Sequence, residues 1–389
     1  MKKSLFIKLL MMALAVVLVL AMASCNIEEE GETDYMDNED LAEINKDLED
    51  AKPSEGLVFK EGTDKDGAKF YSVNGRGECK DSIIIIPAEY KGIPVTKIGG
   101  NAFSESKYDE ESGIPRLQRV LIPESVTTIG HHAFAECESL QNIRIPDSLT
   151  TIESNAFEGC KNATALYIGN KVEKISKAAF ASCESIQVVY LPDSLTIMSA
   201  GVFQDCEKLG KIVYGKGLKE IADATFYNCS TLQEIHLPEG LTVIGDDAFR
   251  GCESLMEFDI PDTVFEVGDR AFMRCMALEK LTIPVSVKTW GNFVTYFCKN
   301  LSTFIYEGTK DQYLEIKCYP PLEKGEEQRV VNPNESLSMY LSIIATEVKC
   351  TDGSFDIKQI LEDNGFMDSE NLNPDAGKTE DEGNEEAAE

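Results

Sequence analysis

The sequence predicts a repeat solenoid: an elongated single body of the α/β repeat class, mostly short parallel β-strands joined by short helical or 3₁₀ turns. Three observations predict it. Cys137, Cys160, Cys183, Cys206, Cys229, Cys252, Cys275 and Cys298 stand 23 residues apart. A phenylalanine precedes all but the last by three positions, at Phe134, Phe157, Phe180, Phe203, Phe226, Phe249 and Phe272, with Thr295 in the final place. Within each period, pairs such as Ile143 and Ile145 bracket a polar residue with strand spacing. A fixed period of this length means stacked units, each too small to bury its own apolar side.

The chain opens with Lys2, Lys3 and Lys8, an apolar stretch from Leu9 to Leu20, and the small-residue exit Ala21-Met22-Ala23-Ser24. This is the three-part layout of a secretory signal, residues 1–24, with an apolar run too short for a membrane span. Residues 25–56 form an acidic stretch, with a net charge of −11 over residues 26–56, and read as a solvated tether. Residues 57–103 hold an N-terminal hairpin, turning at Asp66-Gly67, and a first repeat from Ile83 through Phe103. Repeats of 23 residues occupy 104–306, interrupted once by an insertion near Lys107 to Ile114 that reads as a surface loop. Residues 307–353 form a C-terminal cap, and 354–389, with a net charge of −10, an acidic disordered tail.

Inside one repeat, Leu140, Ile143, Ile145, Leu149, Ile152, Ala156, Phe157 and Cys160 form the inward set. Pro146-Asp147-Ser148 ends the first strand, because proline cannot continue a ladder and Asp and Ser bond their own backbone. Leu149 to Ile152 makes a shorter extended piece, and Asn155 to Gly159 is expected to turn helically, carrying Phe157 to the centre. Gly169 and Gly215 replace the turn proline in two repeats. In the last repeat, Phe293 or Phe297 is expected to fill the space left by Thr295.

Leu20-Ala21-Met22-Ala23-Ser24-Cys25 resembles the lipobox of bacterial lipoproteins, which implies lipid attachment at Cys25; plain secretion is the alternative. The pattern Leu-x-x-Ile-x-Ile-Pro-x-Ser-Val/Leu-Thr-x-Ile-Gly-x-x-Ala-Phe-x-x-Cys, clearest at 117–134, 140–160, 232–252 and 255–275, resembles the BspA-like bacterial surface leucine-rich repeat family. That resemblance implies a leucine-rich-repeat solenoid and a non-enzymatic, cell-surface, protein-binding scaffold, acting in adhesion to host or neighbouring-cell proteins. The other reading is a structural or accessory subunit of a bacterial surface complex with a fixed bacterial partner. The chain would be exported, lipid-anchored to the bacterial cell membrane, facing outward, and monomeric.

Charge and spacing exclude other functions. A formal charge of −31 would repel phosphates, so no nucleic-acid partner is expected. A lone cysteine per repeat lacks the paired spacing of a zinc site, so the column is expected to hold buried free thiols. Cys79, Cys318 and Cys350 leave one disulfide in the caps conceivable. The three histidines, His131, His132 and His236, sit in no catalytic arrangement. Asp64-Lys65-Asp66-Gly67 reads as a turn in preference to a calcium loop. No catalytic residue, metal or cofactor is expected.

The outward strand positions form two columns. One reads Leu121, Arg144, Tyr167, Tyr190, Val213, His236, Asp259, Thr282, Ile305; the other Arg119, Asn142, Ala165, Val188, Lys211, Glu234, Glu257, Lys280, Thr303. Tyr167, Val188, Tyr190 and Val213 therefore cluster beside the acidic Glu234, Glu257 and Asp259, an aromatic patch flanked by charge as in protein-binding hot spots. The plain alternative is that Tyr and Val are good strand formers on a solvated face.

Overall fold

The computed structural model describes residues 48, 51–105, 114–238, 240–318 and 347–356. The chain divides into residues 1–50, of which Leu48 alone is described, and residues 51–389, which carry the repeats. The signal segment, Cys25, residues 107–113 of the insertion and the tail beyond 356 lie outside the described residues.

Each rung contributes two short strands. The first, as in Asn142–Arg144, Ala165–Tyr167, Val188–Tyr190 and Lys211–Val213, turns its middle residue inward: Ile143, Leu166, Val189 and Ile212 are buried. The second, as in Thr151–Ile152, Lys174–Ile175 and Val243–Ile244, turns its second residue inward. Pairing is parallel and displaced by one period, so Ala165 meets Val188 and Tyr167 meets Tyr190. Equal rung length thus places each residue over its own equivalent, and the pattern of one repeat becomes a column of the stack.

The turn that carries the phenylalanine is built differently from the expected helical turn. Each turn contains two residues in the left-handed region, four positions apart: Asn155 (φ 58°) and Gly159 (φ 71°), then Ala178 (54°) and Ser182 (56°), and onward to Arg270 (55°) and Arg274 (63°). A φ that changes sign cannot propagate a helix, so the segment becomes linked β-turns. The non-glycine residues accept this conformation because their N–H groups are committed to the next rung. Asn155 N–H donates to the Lys177 carbonyl at 3.0 Å, Phe157 to Ala179 at 2.8 Å and Gly159 to Ala181 at 2.9 Å. After the second strand the direction reverses, with Glu153 N–H donating back to Ile129 at 3.0 Å. Backbone bonds therefore run along the stack through the turns as well as the strands.

Phenylalanine rings from Phe103 to Phe272 form one column, with neighbouring centroids 4.9–6.0 Å apart and ring planes within 12° of parallel. The cysteine column beside it is buried and its thiols are free. Each thiol is a donor: Cys160 Sγ lies 3.3 Å from the Phe134 carbonyl, Cys183 Sγ 3.2 Å from Phe157, and so on to Cys298 Sγ, 3.0 Å from Phe272. That carbonyl already accepts the N–H of its own rung's cysteine, as Phe134 does from Cys137 at 3.3 Å, so the thiol takes the second lone pair. Burial pushes the thiols of Cys137, Cys160, Cys206, Cys229, Cys252 and Cys275 well above the usual range. Cys79 and Cys350 are also free, so no disulfide joins two of Cys79, Cys318 and Cys350.

The last repeat corrects an expectation. Thr295 is itself fully buried, while Phe293 (φ 55°) and Phe297 (φ 63°) occupy the two left-handed corners and are only half-buried. A corner residue projects away from the centre, so neither ring replaces the missing one. Larger inward residues stand in the neighbouring columns instead. Trp290 occupies the place of Ile244 and Val267, buried and edge-on to Phe304 at 6.3 Å.

Both ends of the repeat array carry antiparallel hairpins. Val58–Thr63 pairs with Lys69–Gly75, and Asp64 Oδ1 accepts the N–H groups of Asp66 (2.9 Å) and Ala68 (2.8 Å), which makes this acidic segment a turn. Lys69–Gly75 continues parallel to Ile93–Ile98 and so joins the stack. At the other end the helix Lys310–Leu314, capped by Thr309, follows Thr303–Tyr306, and Glu347–Cys350 pairs with Gly353–Asp356.

Candidate functional site

The outward columns lie where equal spacing puts them. Asn142–Arg144, Ala165–Tyr167, Val188–Tyr190, Lys211–Val213 and Glu234–His236 form one five-stranded parallel sheet. Tyr167, Tyr190 and Val213 stand side by side, with Val188 two residues before Tyr190 on the same strand and diagonal to Tyr167 and Val213; all four are half-buried. Glu234 is next to Lys211 in register, and its side chain lies outside the described residues.

Tyr167 is more firmly held than its column suggested. Its hydroxyl lies 3.3 Å from Asp147 Oδ1, a residue of the preceding turn, and the Arg144 guanidinium sits 5.7 Å from its ring centroid. Burial and then the Asp147 carboxylate push its hydroxyl above the usual tyrosine range. A ring fixed by two neighbours loses little freedom on contact with a partner.

The face is not one sheet. Glu257–Asp259 begins a second sheet, with Lys280–Ile283 and Thr303–Tyr306, and is not a hydrogen-bond neighbour of Glu234–His236. Asp259 therefore stands across a break from the tyrosine patch, where the columns had implied continuity. Phe258 lies at this break. It occupies the inward place held by Ile143, Leu166, Val189, Ile212 and Ile235, and its ring reaches both Phe249 (5.1 Å) and Phe272 (4.6 Å). A bulkier ring in a close-packed column displaces its neighbours. Ile235 and Leu237 are only half-buried, as are Val120 and Tyr214, whereas Ile143, Leu166, Ile145 and Leu191 in the same two columns are buried.

The gap is a cleft of about 310 Å³ lined by Ile235, Leu237, Glu257, Phe258, Asp259 and Pro261. Lys280, in register with Glu257 on the far side, places Nζ 3.5 Å from Glu257 and 3.4 Å from Asp259. Asp259, followed by Glu257, holds its ammonium above the usual lysine range. The columns gave no warning of this cleft beyond Phe258 itself, the one aromatic side chain between Ile143 and Leu281 in its column. Among the described residues no group of three or more His, Cys, Asp or Glu converges to hold a metal ion. No helix among them is long and apolar enough to cross a membrane.

Comparison with curated protein sequences finds no match. A leucine-rich repeat protein of T. pallidum is 30% identical over 52% of this chain and 90% of its own, with a TM-score of 0.45. A leucine-rich cell surface protein of Faecalibacterium prausnitzii is 21% identical over 68% of this chain and 97% of its own, TM-score 0.39. The pneumococcal vaccine antigen PcpA is 18% identical over 69% and 92%, TM-score 0.34. The family model for the BspA type leucine-rich repeat region matches six copies across residues 96–233 and 219–318. With the phased Phe and Cys columns and the two parallel ladders already in place, that match decides the family: the chain belongs to the BspA type leucine-rich repeat proteins.

Proposed function

We propose that this chain is a non-enzymatic surface scaffold that binds a protein partner through its three-residue strands. In this reading it is held to the membrane by lipid at Cys25 and serves adhesion to host or neighbouring-cell proteins. The observation that carries the reading is the cluster of Tyr167, Val188, Tyr190 and Val213 on adjacent strands of one sheet, half-exposed where their inward neighbours are fully packed. Rigid aromatic anchors beside polar and charged residues supply most of the binding energy in protein interfaces. Glu234 and Asp259 complete the proposed contact set. The resemblance of the repeats to those of bacterial surface proteins supports the outward placement, and the F. prausnitzii relative is itself a cell surface protein. Two acyl chains hold a protein stably on a bilayer, which suits Cys25 followed by an acidic tether.

The test compares cells producing the wild type, Cys25→Ala, and the double variant Tyr167→Ala with Tyr190→Ala. Attachment to surfaces coated with host matrix proteins or with the producer's own envelope proteins is the readout. Cys25→Ala should leave the membrane fraction. The tyrosine pair should stay there with an unchanged melting temperature and lose attachment. Undiminished attachment of the tyrosine pair would defeat the contact surface, and selective binding to the envelope fraction would favour the accessory-subunit reading.

A further inference from the structure

The break between Glu234–His236 and Glu257–Asp259 leaves Ile235 and Leu237 half-buried, where Ile212, Phe258, Leu191 and Ile260 in the same two columns are buried. Ile235 and Leu237 come from inward columns, yet both are half-exposed and line the cleft with Pro261. Over this apolar floor stand the Glu257 and Asp259 carboxylates, 67% and 65% exposed. The cleft is at the small end of ligand pockets, the size for a single side chain and not for a metabolite.

Its chemistry selects the kind of side chain. An apolar floor with an acidic rim matches a lysine or arginine, whose stem packs on apolar surface while the charged head stays at the water boundary. The site already demonstrates the preference, because Lys280 Nζ approaches both carboxylates from the neighbouring rung. Among the described residues one ammonium, that of Lys280, stands against two carboxylates, which leaves acceptor oxygens and a negative charge on the cleft side. Residues 57–353 carry a net charge of −13, so the wider field also draws a cation. Finally, the two strands end their sheets at this gap, so their main-chain groups border the cleft and not another strand, as an extended chain requires.

We propose that this cleft receives a lysine or arginine side chain from an extended, basic segment of a protein partner, its stem against Ile235, Leu237 and Pro261 and its head between Glu257 and Asp259. This deepens the protein-binding reading and rests on it. Lys280 is then an internal competitor for the same carboxylates, which gives a prediction of unusual sign: removing a positive charge from Lys280 strengthens binding of a basic ligand.

The experiment titrates the full-length protein with a fluorescein-labelled peptide of alternating lysine and threonine, and with its glutamine-for-lysine counterpart, by fluorescence anisotropy at low ionic strength. The lysine peptide should bind and the glutamine peptide should not. Lys280→Gln should tighten binding by about threefold or more, and Glu257→Gln with Asp259→Asn should weaken it by about tenfold or more. Charge-matched changes at exposed positions on or next to the second strands, Lys174→Gln and Glu173→Gln with Glu220→Gln, should shift it by less than about twofold. Circular dichroism checks that each variant is folded. Equal shifts in the matched controls would mean diffuse attraction to an acidic surface and would overturn the proposal. So would Lys280→Gln having no effect or weakening binding. If the Tyr167 and Tyr190 pair loses cell attachment while the cleft variants leave the peptide affinity unchanged, the cleft falls and the strand-face reading stands. The opposite pattern retains the cleft and removes the aromatic patch.

Discussion

Phe203→Ala removes the middle of the aromatic column and tests whether that column holds the stack together. Phe203 is fully buried, with ring centroids of Phe180 at 5.7 Å and Phe226 at 6.0 Å on its two sides. Losing the buried ring forfeits about 2–3 kcal/mol of transfer free energy. Two offset ring contacts add about 0.5 kcal/mol or more each. The remainder is the cavity, at ~24 cal/mol per Å³ left unfilled, which brings the expected loss to about 3–5 kcal/mol. Collapse is restricted because the backbone at this position is tied on both sides. Phe203 N–H donates to Thr225 at 3.0 Å, and its carbonyl accepts the Cys229 thiol at 3.2 Å. Urea unfolding should be followed by far-ultraviolet circular dichroism and, separately, by fluorescence of Trp290, the sole tryptophan. Trp290 is buried in the last repeat and reports that end, whereas dichroism reports every rung. In a nearest-neighbour array, a lesion in mid-stack lowers the dichroism midpoint and separates it from the fluorescence midpoint. A loss below about 1 kcal/mol, with the two midpoints coincident, would refute the claim that the phenylalanines form the continuous core.

Two further outcomes follow from the titrating groups. The column thiols should react with Ellman's reagent only after denaturant is added, because they are buried, hydrogen-bonded and, at the six positions pushed upward, protonated; prompt modification of most of them would contradict this packing. Cys350, half-buried and pushed up to about 11, should lead the described thiols. Asp246→Asn should raise the melting temperature at pH 7 by roughly 1–3 °C and change nothing near pH 3. The reason is that partial burial, with the Asp269 and Asp223 charges, raises the folded-state carboxyl above its ordinary range. A raised acid favours the folded state while protonated and opposes it as pH rises past the unfolded value, so the neutral amide gains only at higher pH. A variant that is stabilised equally at both pH values would show that charge is not the cause.

The fold was legible because its period equals one rung. A residue recurring every 23 positions lands on its own image, so Phe157 and Cys160 could be assigned to columns without knowing any torsion angle. The corners were not legible. Asn155, Ala178, Arg270 and Phe293 share the same left-handed place but no chemical type, because the requirement there is met by hydrogen bonds to the next rung and not by the side chain. For that reason Phe293 and Phe297, candidates for the core by composition, stand at corners instead. The outward columns were legible by the same rule of equal spacing, and Tyr167 does stand beside Tyr190. Its bond to Asp147 was hidden, since that contact joins a strand to the turn of the rung before it.

Sequence alone determined the repeat, the identity of each column, the inward and outward faces of the strands, and the absence of paired ligand spacing in the cysteine column. Those properties depend on periodicity, and periodicity is local information repeated. Only the tertiary structure decided where the stack departs from uniformity. Phe258 is one substitution in an inward column, and its consequence depends on the volume that Phe249 and Phe272 leave for it. At Phe258 the sheet parts and an acidic cleft opens, and the ladders also part after Arg119–Leu121 and after Ile197–Met198, because in a filled core it is the local fit of side chains, and not the period, that decides where neighbouring strands stay paired.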